Sequence, residues 1–586
     1  MDQRLMDDWR TRDEFQYGRR PGKREVDLYV RTYNTLLESS GAVSVSSLEP
    51  AHLTAASSLH AGANEEEPDL SAFLYSQNRI PLCIVQVRHI ILGQSHRAFS
   101  RAGYSDIDTW QEAKAPARRR RWYWNGGDTL GAYISSSSDL DDLIPSIVAY
   151  QIEWNKMHDR LAEVPEVRGK LLAEDGPGIE ASDPALREAL RLGEADFERL
   201  AQVWGDNLLP NLARVATDHL RIDLRMLGGS YLGYGRSVRS WWRPVHEVLQ
   251  EQGLLGRPVY FVSSNTHSIA NVLSGVARRR ERELTDFIRS TRHPELLPEL
   301  EKHERGTSRG SYENVLYFAA RSWFHGPHKA AERKKRLEEE RSVGITYLEP
   351  GGPLDVGVQV IELARLDPEV FDPRLRGLDP TDSDAVIVNI NYPLGMAAYH
   401  IMTQVGAVLD NVKGVYILGK AATLNGRIGD IMMSNVVFDE HSGNTYWFEN
   451  AFTYDSVAPY LAFGSALDTQ KAVTVKGTYL QNEGYLDFYY RGNYTVVEME
   501  AGPYLSALYE DVFLERHPTD EAINLAPLSR HIDLGIIHYA SDTPYTRALT
   551  LGARGMSFYG MDSTYASTIA ILRRIFDLEA ERDATE

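Results

Sequence analysis

The chain has 586 residues, too many for one ordinary hydrophobic core, so two or more domains are expected. Its 43% hydrophobic, 25% charged and 10% aromatic content is globular and excludes a disordered or fibrous protein. A formal charge of −19 argues against nucleic-acid binding and against a polybasic membrane surface, and the single cysteine, Cys83, excludes a disulfide framework or a multi-cysteine zinc site.

The opening, MDQRLMDDWRTRDEF, is not an apolar signal segment, and no apolar run has membrane-spanning length. A soluble, cytoplasmic protein with no membrane partner is expected. The first half reads as mostly helical, with strand-like runs at Cys83–Leu92, Thr129–Ser135 and Pro258–Val262. Two of these runs end in small polar residues that open a helix, Ser135–Asp139 and Ser263–Ser268. Such a turn is either an anion site, where free N–H groups point outward, or an ordinary N-cap. Arg118–Arg121, followed by Trp122, Tyr123 and Trp124, has the composition of a nucleic-acid patch. Against the net charge, a phosphate-bearing small ligand or a subunit contact is the better reading.

The charge run KAAERKKRLEEERS at 329–342 reads as a solvated helix or exposed connector. It sets the predicted boundary between a mostly helical α/β N-terminal region, 1–335, for ligand binding or oligomerisation, and a second domain, 336–586. The second half alternates strands and helices. Ala385–Ile390, Gly414–Gly419, Asp430–Phe438, Ala472–Leu480, Tyr494–Val497 and Leu534–Ala540 read as strands, and Met396–Leu409, Met499–Phe513 and Ser563–Leu578 as helices. Continuously apolar strands predict an α/β domain whose mixed sheet is flanked by helices. Ligands of such sheets bind at the carboxyl ends of the strands.

Three strand ends carry chemistry: Gly419-Lys420-Ala421-Ala422-Thr423-Leu424 with Gly429-Asp430, then Val497-Glu498-Met499-Glu500-Ala501, then Ala540-Ser541-Asp542. Alone, Glu500 reads equally as a first-turn helix acid and Asp542 as an N-cap. In this order the three segments resemble the purine nucleoside phosphorylase and nucleosidase superfamily, over about residues 380–586. That resemblance implies a phosphorylase-like fold and cleavage of an N-glycosidic bond.

Breaking a ribose–purine bond builds positive charge on the sugar and negative charge on the base, as in glycoside hydrolysis. By the resemblance, Glu500 holds the ribose hydroxyls and Met499 floors the sugar, with Glu498 a further contact. Asp542 then protonates or hydrogen-bonds the purine ring nitrogen, oriented by Arg547 or Arg554. Tyr479 stacks on the base, and Leu480 offers its backbone to the purine edge.

The sequence departs from the family at the nucleophile. Asn391–Gly395, taken as the first strand-loop, has Asn and Gly where Gly and Arg are expected, and no carboxylate to activate water. In the glycine strand-loop, Ile417 and Lys420 stand for Arg and Ser, and Ala422 replaces a second glycine. Losing two guanidiniums removes the bidentate phosphate grip, so hydrolysis is slightly favoured over phosphorolysis. Asn391, Gly419 and Lys420 are the candidate contacts there. No bound cofactor is expected, with phosphate as the conceivable co-substrate. The expected partners are a small purine nucleoside or nucleotide and, by resemblance, further copies of this chain. The rival reading is a non-catalytic nucleotide sensor.

Overall fold

The computed structural model describes residues 22–173, 178–326, 329–514, 516–543 and 558–583. They form two compact units: one runs to Ser237 and includes Val475–Asn493, and the other comprises Val238–Thr474 and the chain from Tyr494. The boundary predicted at 335/336 is therefore displaced by about a hundred residues, and a short second-half segment completes the first unit. The charge run is a helix, Ala330–Ser342, whose one buried residue, Glu340, is held by Arg336 at 2.6 Å. It marks a solvated face inside the second unit rather than a linker.

The first unit carries a six-stranded sheet made of β1 (Val43–Ser44), β2 (His89–Gly93), β3 (Gln111–Ala115), β4 (Arg118–Trp124), β5 (Thr129–Tyr133) and β6 (Asp223–Met226). Its order is β1-β6-β2-β5-β4-β3, with β2 parallel to both neighbours and the other pairs antiparallel. A 26-residue helix, Ser137–Ala162, is buried along most of its length. The arginine–tryptophan run is β4. Its alternation puts Trp122 in the core and turns Arg118 and Arg120 onto Asp142 and Asp139 of that helix, each with a 2.7 Å contact. These two arginines are internal ion-pair partners, not a nucleic-acid surface.

The second unit contains an eleven-stranded mixed sheet. Its strands are β7 (Val259–Ser264), β8 (Ile345–Leu348), β9 (Val358–Glu362), β10 (Val386–Asn391), β11 (Val412–Thr423), β12 (Ile431–Asp439), β13 (Thr445–Trp447), β14 (Ala466–Thr474), β15 (Val496–Glu498), β16 (Ala522–Asn524) and β17 (Asp533–Asp542). The order is β16-β13-β12-β14-β15-β11-β7-β10-β9-β8, and β17 pairs both β11 and β12. Strands β11, β15, β14, β12 and β17 thus close into a five-membered ring, which abolishes their edges. β10, β7, β11 and β17 run parallel, so their carboxyl ends share one rim.

The unbroken apolar strands are explained by two cores. Tyr260, Val262, Ile387, Tyr416, Leu418, Ile537 and Tyr539 face one core, shared with the helices of 268–325 and 558–583. Val259, Phe261, Val386, Val388, Ile390, Val415, Ile417, Leu534 and Ile536 face the other, shared with Ala397–Gly406 and Ala501–Phe513. Successive residues alternate between two buried faces, so no polar period remains in the sequence. The predicted strand Ala472–Leu480 is shifted: β14 ends at Thr474, and the chain then enters the first unit. Among the described residues, no helix is long and apolar enough to cross a membrane.

Candidate functional site

The site is organised by β11. Ala422 pairs with Val497 of β15 on one side and with Asp542 of β17 on the other. Neighbouring strands lie about 4.8 Å apart, so the Glu-Met-Glu junction and the Ser-Asp end flank one strand at a separation of about 10 Å. That is the span of a nucleoside-sized ligand, and the two flanking residues, Val497 and Asp542, are 45 positions apart in the chain.

Asp542 reaches its place through a bulge. Ala421 pairs with Ala540 but Ala422 with Asp542, so Ser541 is the extra residue. The Ser541 hydroxyl lies 3.3 Å from the Ala421 carbonyl and 2.9 Å from Asp542 Oδ2. Bulges re-aim a side chain at the end of a ladder. Asp542 is half-buried, with access to solvent. Arg547 and Arg554, the residues expected to orient it, lie outside the described residues.

Glu500 sits at the N-terminus of the helix Ala501–Phe513, half-buried, and its Oε1 accepts a 3.3 Å hydrogen bond from Gly395 N–H. That bond draws in the turn after β10. Met499 beside it is also half-buried. Glu498 has a different part. Its Oε2 accepts the N–H groups of Glu500 and Ala501, both at 2.7 Å, and its Oε1 accepts the Thr474 hydroxyl. It is enclosed and braces the helix start rather than facing a ligand.

Burial, then the neighbouring Glu500 charge, pushes the Glu498 carboxyl up to about 8, although three donors oppose that shift. Such an acid binds more protons folded than unfolded between its ordinary value of 4.5 and its folded one. The second unit therefore loses stability as pH rises through that window, a cost absent below it. Glu498→Gln cannot ionise and should flatten the slope, at lower overall stability. Thermal midpoints between pH 5 and pH 8 check this; parallel curves for the two proteins would contradict it.

His538, on β17 opposite Gly419, is buried, and its Nε2 lies 3.8 Å from Glu498 Oε2. Burial pushes its imidazole down to about 3, so the ring is neutral. Gly419 is half-buried and Lys420 exposed on β11.

The first strand of this unit is β7, not β10, so the turn that opens it is Ser263–Ser268. That turn also lacks a carboxylate. Its N–H groups are spoken for: Asn265 Oδ1 accepts from His267 N at 3.1 Å and from Ser268 N at 2.7 Å. The other candidate anion turn is closed in the same way, since Asp139 Oδ2 accepts Ser135 N at 2.6 Å. Both are N-caps. Asn391 is a tie between β10 and β7, its Oδ1 accepting Thr266 N at 3.1 Å.

Burial first, then the charges of Arg321, Arg336 and Lys420, push His267 down to about 3. Arg321 lies on the helix Tyr312–His325 and Arg336 on Ala330–Ser342, so the predicted boundary at 335/336 falls between them. The only signal for them was the small-residue turn at Ser263–Ser268.

Tyr479 and Leu480 are not at this site. Both belong to the first unit and are buried there. The Tyr479 hydroxyl donates to Ala72 O at 2.9 Å and lies 2.7 Å from Ser76 Oγ, while its ring packs against Tyr75, His52 and His60. The ring is a core side chain with satisfied polarity, so it does not supply the expected stacking surface.

The model of the family of unknown function DUF6909 matches residues 45–577. The chain belongs to that family. No curated protein sequence matches it significantly. Among solved structures, it is similar to the 5′-methylthioadenosine/S-adenosylhomocysteine nucleosidase of Campylobacter jejuni, at 13% identity over 41% of this chain and 92% of that one, with a TM-score of 0.27. Similarity to the 5′-methylthioadenosine nucleosidase of Arabidopsis thaliana is at 10% identity, over 40% and 88%, TM-score 0.27. A methylthioadenosine phosphorylase from an antarctic soil metagenomic library matches at 8% identity, over 39% and 76%, again with a TM-score of 0.27. The functional reading rests instead on the side chains gathered around β11.

Proposed function

We propose that the second unit cleaves the N-glycosidic bond of a purine nucleoside or nucleotide. The observation that carries this reading is the shared register at Ala422, which sets Val497 and Asp542 on either side of one strand. In the proposed reaction Asp542 hydrogen-bonds or protonates the ring nitrogen as the base departs, and Glu500 holds the ribose hydroxyls beside Met499. Glu498 positions Glu500 by fixing the helix start. Hydrolysis is favoured because neither Ser263–Ser268 nor Gly419–Lys420 carries an arginine to grip phosphate.

Purified full-length protein incubated with purine nucleosides and their 5′-monophosphates, with and without inorganic phosphate, tests the proposal. Free base released without phosphate is the expected result. Release only with phosphate would assign phosphorolysis. Tight binding without release would replace the catalytic reading by a nucleotide sensor.

A further inference from the structure

A second cluster of chemically active side chains lies in the first unit. His158 and Asp159 are consecutive on the helix Ser137–Ala162, and His219 lies in the segment that leads into β6. One potential ligand atom from each of the three lies within 4.8 Å of the other two. His219 Nε2 is 2.8 Å from Asp159 Oδ1, and the two imidazole rings are 4.4 Å apart between centroids. His158 is half-buried, while Asp159 and His219 are exposed.

Two features set this cluster apart from a casual surface ion pair. The first is the tautomer of His158. Its Nδ1 lies 2.6 Å from the Val215 carbonyl oxygen, which can only accept, so Nδ1 carries the proton and Nε2 keeps its lone pair. An imidazole fixed by a backbone carbonyl on one nitrogen is the arrangement in which the other nitrogen serves as a metal ligand.

The second is rigidity. The segment holding His219 is pinned to the same helix by side chains one and two turns earlier. Asn155 Oδ1 accepts Leu220 N at 2.7 Å, and Asn155 Nδ2 donates to Leu220 O at 3.3 Å. Gln151 Oε1 accepts Ile222 N at 2.8 Å. The preceding stretch is tied by Arg168 Nε, which donates to Ala216 O at 2.9 Å. Three ligand-type groups are thus held together by bonds that none of them makes, and the ordering cost of a site is met before any ion arrives.

We propose that His158, Asp159 and His219 form a binding site for a divalent transition-metal ion of the zinc type. Two imidazoles and one carboxylate suit zinc, whereas magnesium and calcium call for oxygen donors. The ion replaces the Asp159–His219 hydrogen bond, and water completes its coordination on the exposed side. Bound there, it bridges the long helix to the segment entering β6 and so stabilises the first unit through ligand linkage.

The test uses full-length protein freed of any affinity tag and treated with chelator, then titrated with zinc and, separately, with cobalt. Stoichiometric zinc binding, a raised thermal midpoint and a cobalt visible spectrum of low coordination number are expected. His158→Gln and His219→Gln should each weaken zinc at least about tenfold and abolish the cobalt spectrum. His219→Gln should keep the metal-free thermal midpoint of the parent, because that side chain is exposed, and so it carries the test even where loss of the His158–Val215 bond lowers the midpoint of His158→Gln. Magnesium should not compete. Failure to bind zinc, or binding that survives both substitutions, would overturn the proposal. Base release by the second unit plays no part in these readouts, so the outcome is independent of the glycosidic reading.

Discussion

On the reading proposed for the second unit, Asp542→Asn lowers the rate of base release by about 10²- to 10⁴-fold, the usual worth of a general acid. The substitution keeps the shape of the side chain and an oxygen to accept from Ser541, so the bulge is retained. The carboxyl group is half-exposed, and a thermal midpoint close to that of the parent is expected. Glu500→Gln should act differently. It removes a charge from the sugar side and weakens the bond from Gly395 N–H, so both kcat and KM are expected to change. Steady-state base release, followed by separation of the free purine, reads both effects. An Asp542→Asn protein that releases base at the parent rate would remove Asp542 from the chemistry. Unchanged activity in both variants would end the assignment of the site.

The largest effect on stability is expected at Asp142, in the first unit. Its carboxylate is 3% exposed and faces Arg118, with contacts of 2.7 and 3.1 Å, and Arg120, at 3.1 Å; Arg120 is itself 2% exposed. Arg120 also holds Asp139 at 2.7 Å. Burial opposes the charge on Asp142, but the guanidiniums of Arg118, Arg120 and Arg79 hold the carboxyl well below its ordinary value. Asp142→Ala would leave two arginines facing each other in a partly dry interior, at a cost of about 3–5 kcal/mol.

A group whose folded value is depressed contributes stability that is present above its ordinary value of 3.8 and lost as pH falls below it. The first unit should therefore loosen in acid below about pH 4, and Asp142→Ala should be loose already at neutral pH. Hydrogen exchange along Ser137–Ala162 reads the loss locally, which matters in a chain of two units that need not unfold together. Protection in that helix unchanged by Asp142→Ala would show that the ion pairs contribute little.

The same arginines show how far sequence can be read. Arg118–Arg121 with three following aromatics has one composition whether it lies on a surface or in a sheet. Strand alternation and the facing acids of a helix assign Arg118 and Arg120 to the interior, and those acids are recognisable as partners only once the sheet and helix are packed. The Ser263–Ser268 turn is similar. Strand, small residues and helix were legible in order, but whether the N–H groups were free depended on the rotamer of Asn265. Tyr479 was placed by family resemblance at the end of a strand predicted over 472–480, but that strand ends at Thr474 and the chain then runs into the first unit.

By itself, the sequence determined β10, β11, β12, β15 and β17 and the helices that follow β10, β15 and β17, because apolar runs bounded by glycine and polar turns have few other ways to be buried; the short or less apolar strands β8, β9, β13 and β16 escaped it. It also determined that Glu498, Met499 and Glu500 lie at a strand-to-helix junction and that Asp542 ends a strand. The tertiary structure alone decided which strands are neighbours, where the units divide and which of the acids is sealed inside. Those outcomes depend on pairing and packing between residues hundreds of positions apart, and a linear pattern carries local preference but not the partner.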